Sequence, residues 1–366
     1  MVSLLRPIVP IKFGETVRMY IKNKALRKGY RRFTKAPWAG GAPRGTLRCV
    51  LVMISAVFIG PSAQALAPEN SPPGPDNTLT AVKSEVWDIY GEYAVRGFKV
   101  NQSSLQAMIA TGLKRVTGRA DPNQAWHSLL AEDDVIALKF NRIASRGLGT
   151  NRAVACALLS SLYRAGFSAE NIMLVGLDEL PDEAAGTRPC PYGWQDQDVD
   201  FFCDRDYLPR WLDEVTAIIN VPSIMDDNIV ALRCCLVNLS LPLLKQPARL
   251  YINAGDPFIA DIYNLDQIRD KVRLHIANGL RILYYGGPEI KQVFVYEHGS
   301  LLFSTDPVAL DQIALQLILR ARRTMTLPVK VDSKLTCDYL KTAEACGLGN
   351  NDLNNVDYHF IKHENW

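Results

Sequence analysis

No Cys-x-x-Cys or Cys-x-x-x-Cys pair occurs among the eight cysteines. That excludes the common structural-zinc and iron–sulfur frameworks. There is no Gly-x-Ser-x-Gly elbow, no His-Glu-x-x-His helix and no Walker loop, and no haem motif. The usual signatures of serine hydrolases, zinc proteases and nucleotide-phosphate enzymes are therefore missing. Gly347-Leu-Gly349 is too short for a dinucleotide loop, and it closes a helical pattern instead of opening one. The chain also lacks an internal repeat and the composition of a disordered or fibrous protein: 48% of its 366 residues are apolar and 22% charged.

Charge of one sign is nearly absent from the head of the chain. Residues 1–65 hold twelve Lys and Arg against one acid, Glu15, while residues 66–366 hold 29 basic and 37 acidic residues. The body is acidic, which argues against a nucleic-acid partner, because phosphate binding needs a basic face. The basic head runs into an uncharged apolar stretch at 49–60. Its 12 residues are too few to span a bilayer core, which takes about 20 helical residues. They suit the middle region of a signal peptide, and Ala63-Gln64-Ala65 fits the small-x-small cleavage pattern.

The expected organisation is a signal peptide at 1–65, a Pro-rich linker at 66–85 and a single domain at 86–366. Export to a periplasmic or secreted location follows, with no transmembrane span in the mature chain. General secretion is the first route, and Arg31-Arg32 keeps the twin-arginine route as the second. A leader retained as an envelope anchor is a third reading. Met19 is an alternative start. Export permits disulfides, and Cys190 with Cys203, flanking a polar loop, is the candidate pair. Cys156, Cys234 and Cys235 sit in apolar runs and read as buried free thiols.

Periodicity predicts helices at 103–119, from Thr150 or Asn151 to 166, at 207–214, at 228–241, from 306 to 323 and at 334–346. It predicts strands at 134–140, 171–177, 215–220 and 271–276, and a hairpin turning at His298-Gly299. Alternation of strand and helix predicts an α/β fold: one domain, a mainly parallel sheet with helices on both faces, and a β-hairpin towards the C-terminal part.

Ligands in such sheets sit beyond the carboxyl ends of the strands. The polar residues expected there are Lys139 and Asn141, then Asn220, Asp226 and Asp227, then Asn238, His275 and Asn278, then Asp306 and Asp311. Lys139, Asp306 and Asp311 are the catalytic candidates, and the others line the ligand. Each has a plainer use. Lys139 within an apolar strand needs a partner or a task. Asp306 before Pro307 is a helix cap. His275 reads as a core histidine, and His298 as a turn residue.

The stretches 135–141, 218–222, 302–311 and 347–349 together resemble, in order, the family called domain of unknown function 362, over residues 130–355. The resemblance implies the fold more than a reaction. It implies a Lys-x-His signature where this chain has Met225 and Asp227, a Lys-Asn pair where it has Val237 and Asn238, and an acid where it has Asn278. Lys139, Asn141, Asp306 and Asp311 match the family. Loss of cations and an imidazole removes groups suited to anion binding or acid–base work.

Two readings stand on this. One is an enzyme acting on a small anionic or metal-bound ligand, its carboxylates suited to a hard divalent cation. The other is a non-catalytic binding protein on the same scaffold, a degenerate relative of an enzyme family.

Overall fold

In a computed structural model that describes residues 83–325 and 337–363, the strands form one nine-stranded sheet and two separate two-stranded ribbons, Val95–Arg96 with Lys99–Val100 and Val199–Phe201 with Asp204–Asp206. The strands are β1 (Ser84–Gly91), β2 (Val95–Arg96), β3 (Lys99–Val100), β4 (Ile136–Phe140), β5 (Ile172–Val175), β6 (Val199–Phe201), β7 (Asp204–Asp206), β8 (Ala217–Val221), β9 (Ser223–Asp227), β10 (Ala231–Arg233), β11 (Val272–Leu283), β12 (Val295–Ser304) and β13 (Val356–His363). The helices are α1 (Gln102–Thr117), α2 (Pro122–Leu129), α3 (Arg142–Leu148), α4 (Asn151–Arg164), α5 (Trp211–Glu214), α6 (Cys235–Asn238), α7 (Phe258–Tyr263), α8 (Asp266–Arg269), α9 (Pro307–Thr324) and α10 (Asp338–Ala345).

The main path across the sheet runs β13-β1-β12-β11-β8-β4-β5, with β9 and β10 extending beside the upper part of β11. Only β12 on that path runs against its neighbours. The sheet is therefore mainly parallel, and β11 with β12 forms the antiparallel hairpin. Helices cover both faces, because successive residues of a strand point to opposite sides. Ile136, Leu138 and Phe140 of β4 join one core with residues of α1, α2 and α4, while Ala137 joins the other with residues of α6, α7, α9 and α10.

Local chemistry positions these helices. Asp306 caps α9 by accepting from the N–H groups of Val308 and Ala309, with Pro307 in the first turn. Leu310, Ile313, Leu317 and Ile318 then bury one stripe of α9, each contributing roughly 1.5–3 kcal/mol. Gly112 lets α1 lie against the sheet, since a Cβ there would come within 2.2 Å of the Phe303 ring. No helix among the described residues is long and apolar enough to cross a membrane.

Several expected elements differ. His298-Gly299 does not turn the hairpin. The two lie inside β12, where His298 and Gly299 together oppose the single residue Leu280 of β11. Gly299 at φ +78 makes this a β-bulge. The stretch expected as a helix at 228–241 is instead β10, α6 and a 3₁₀ turn at Leu241–Leu243. Asp227 folds the chain back by accepting from the N–H of Ile229 and Val230 and pairing with Arg233, and Ala231 takes φ +69. From Val230 to Leu241 the run is buried throughout and shows no amphipathic stripe, so periodicity could not separate these states. The helix expected at 207–214 is confined to Trp211–Glu214.

The expected Cys190–Cys203 disulfide is absent: both cysteines are free and exposed. Cys203 sits in the turn joining β6 and β7, apart from the loop that carries Cys190. Strand β1 begins at Ser84, inside the stretch expected as linker. The leader and the linker through residue 82 lie outside the described residues, as do residues 334–336 of the last expected helix.

Candidate functional site

Register puts Lys139, Asn220, His275 and Ser304 side by side across β4, β8, β11 and β12. Three of them join one buried network. Lys139 Nζ donates to the carbonyl of Phe140 (2.8 Å) and to Asn238 Oδ1 (3.1 Å). Asn238 Nδ2 donates to the Lys139 carbonyl and to Asn220 Oδ1. Asn220 Nδ2 in turn donates to the Cys235 carbonyl and to His275 Nδ1, each over 3.0 Å. The Tyr263 hydroxyl stands 3.2 Å from His275 Nε2. Asp311 joins through the backbone: its carboxylate accepts from the N–H groups of Cys235 and Leu236.

The network is sealed. Lys139 is 6% exposed, Asn238 5%, Asn220 0% and His275 1%. Lys139 forms no ion pair among the described residues. Burial lowers its pKa to about 7, against a smaller opposing pull from the Cys190 thiol. Burial also lowers the His275 pKa to about 3 and raises that of Asp311 to about 6. Groups of this kind are often functional, but only where a reactant can reach them.

The other expected site residues do not converge on Lys139. Asn141 caps α3 by accepting from the N–H of Ile143, and its side-chain amide faces the Met225 sulfur. Asn278 donates to Thr150 and Asn151 on the opposite face of the sheet. Asp226 pairs with Arg322 and accepts from the N–H of Gly287, while Asp227 pairs with Arg233. Asp306 follows β12 past the row, towards the amino ends of the parallel strands. There it also accepts from the Ser84 hydroxyl and the N–H of Asn350. It clamps three segments of chain and leaves no oxygen facing Lys139.

An accessible hollow lies elsewhere, between α9 and the strands β1, β12 and β13. It has a volume of about 300 Å³ and is lined by Tyr90, Tyr296, His298, Leu317, Arg320 and Phe360, among others. The bulge in β12 sets His298 into this wall. Behind it, His298 Nε2 stands 3.5 Å from Oδ2 of Asp88, whose side chain is fully buried. The Tyr358 hydroxyl donates to the same oxygen over 2.7 Å. Asp88 Oδ1 and Ser300 Oγ have no hydrogen-bond partner among the described residues. Burial, then the Asp88 charge, push the Tyr296 and Tyr358 phenols well above their ordinary range. A buried carboxylate is costly without a partner, and the His298 ring stands beside this one.

Sequence patterning assigns His298 to a turn and does not single out Asp88. A signal was present in each. Asp88 interrupts the apolar run of β1 as Lys139 interrupts β4, and a His-Gly pair inside a strand can mark a bulge as well as a turn.

Residues 169–316 match the sequence profile of a family described as a domain of unknown function (DUF362). The matched stretch spans β5 to the first half of α9; it holds most of the Lys139 network and, separately, His298, but neither Lys139 nor Asp88. No curated protein matches the chain.

Proposed function

We propose that this chain is an exported, non-catalytic binding protein. In this reading it takes a small anionic molecule with an apolar body in the hollow beside α9. The observation that carries it is the contact between His298, on the wall of that hollow, and the buried carboxylate of Asp88. The His298 ring lends a polar surface to that wall, and the exposed Arg320 supplies a cation at the rim. Tyr90, Leu317 and Phe360 offer apolar walls to the remainder. Sites of this size commonly combine apolar lining with a few placed polar groups.

Benzoate, a carboxylate on a flat apolar ring, is a suitable probe. Thermal-shift and calorimetric titrations are expected to show saturable stabilisation of the wild type. H298A and R320A should lose the response, and K139M should keep it. A wild type that does not respond, or an H298A/R320A double variant that responds equally, overturns the reading. Export is tested by sequencing the N-terminus of the protein recovered from cells. A start at Leu66 supports it, and an intact leader overturns it.

The lowered pKa of Lys139 favours a second reading, in which the neutral amine reacts with a carbonyl substrate. Pyridoxal phosphate with borohydride separates the two. A sealed lysine stays unlabelled in the folded protein, whereas stoichiometric labelling of Lys139 would restore the catalytic reading.

A further inference from the structure

Cys234 and Cys235 hold their sulfur atoms 3.9 Å apart under α9. The two Sγ atoms and a carboxylate oxygen of Asp311 all lie within 4.8 Å of one another. All three residues are buried: 1% exposed for Cys234 and 0% for the other two. A tetrahedral zinc with bonds of about 2.3 Å to sulfur separates its two thiolates by roughly 3.8 Å. The observed separation matches that edge.

The third donor is already fixed in place. Cys235 gives its N–H to Asp311 Oδ1 over 2.5 Å, and Leu236 gives its N–H to Oδ2 over 3.0 Å. Each carboxylate oxygen keeps further lone pairs for a metal. Asp311 has no ion pair among the described residues, although its side chain is fully buried. Hydrogen bonds offset only part of the cost of burying this carboxylate without a cation, and a divalent cation would offset more. Both cysteines belong to the same core as Leu236, Leu310, Ala314, Tyr339 and Cys337.

We propose that Cys234, Cys235 and Asp311 form a structural binding site for a thiophilic divalent metal, zinc in the first instance. Thiolate ligands select zinc or cobalt over magnesium or calcium. Loading replaces the two thiol protons, which pass to solvent as two metal–sulfur bonds form. No electron transfer is involved. The site is independent of the hollow beside α9, so failure of one leaves the other standing. Because the donors are buried, the metal enters as the chain folds.

The test is cobalt substitution. The full chain is expressed in cobalt-supplemented medium and purified without chelator under reducing conditions. The expected result is one bound metal per chain and thiolate-to-cobalt charge-transfer absorption in the near ultraviolet. C234A and C235A should each abolish the charge-transfer band, while C156S should keep it. Thermal unfolding of each variant shows whether it is folded. A folded wild type with titratable reduced thiols and no cobalt absorption overturns the proposal. So does a band that survives in the C234A/C235A double variant.

Discussion

Asn220 donates its side-chain amide to Nδ1 of His275 over 3.0 Å, inside a core where neither side chain meets water. An acceptor at Nδ1 places the imidazole proton on Nε2, next to the Tyr263 hydroxyl. The ring is thereby held neutral, and burial moves its pKa down to about 3.

Acid should unfold the protein partly through this ring. The folded pKa lies below the ordinary value of 6.5, so between pH 6.5 and about 3 the unfolded chain binds a proton that the folded one refuses. Stability is complete above that window and falls through it, by up to about 1.4 kcal/mol per pH unit. Urea unfolding followed from pH 7 to pH 4 should show a shallower slope in H275L than in the wild type. Equal slopes would show that His275 is not held neutral.

Lys139 has the opposite working range. Its folded pKa of about 7 lies below the unfolded value of 10.5. The unfolded chain therefore binds the extra proton between those values, and stability rises as pH goes from 7 to 10.5. The gradient approaches about 1.4 kcal/mol per pH unit. K139M should flatten it in denaturant titrations. A wild type whose stability is level across this range would mean that the ammonium is solvated or ion-paired.

Asp306 and Gly349 test the clamp at the start of α9. A Cβ on Gly349 would approach Asp306 Oδ1 to 1.8 Å, and the residue sits at φ +153. D306A removes a cap and two further acceptor contacts, and should cost about 2–4 kcal/mol. G349A should cost a similar amount by displacing the carboxylate. The double variant should cost much less than the sum, because both changes break one unit. Full additivity in urea unfolding would dissolve the link.

Packing of α1 on the sheet rests on one missing methyl group. G112A forces a carbon into the Phe303 ring, so it should destabilise by about 1–3 kcal/mol despite the better helix propensity of alanine. G112A combined with F303L, which makes room, should recover part of the loss. No recovery would place the cause outside this contact.

The bulge in β12 links fold to ligand. G299A burdens a left-handed position and should cost about 1 kcal/mol. It should also shift His298 and weaken the benzoate response more than D306A does, measured at temperatures where both are folded. Equal responses would separate the bulge from the hollow.

Much of this protein is set by the chain itself. Apolar runs at 134–140, 171–177 and 215–220 are strands because they are short, rich in branched residues and bounded by helix signals. The Asp306-Pro307 start of α9 is local chemistry that any context would respect. Lys139 announces itself as a polar intruder in such a run. What these residues face was decided only by tertiary structure. Register across three strands, not spacing along the chain, brings Lys139, Asn220 and His275 into one row. The same register sends Asp306 past that row and Asn278 to the other face. A two-residue bulge turns His298 from an apparent loop residue into the wall of a hollow. Side-chain direction in a sheet depends on pairing partners distant in sequence, and a one-residue change of pairing reverses it.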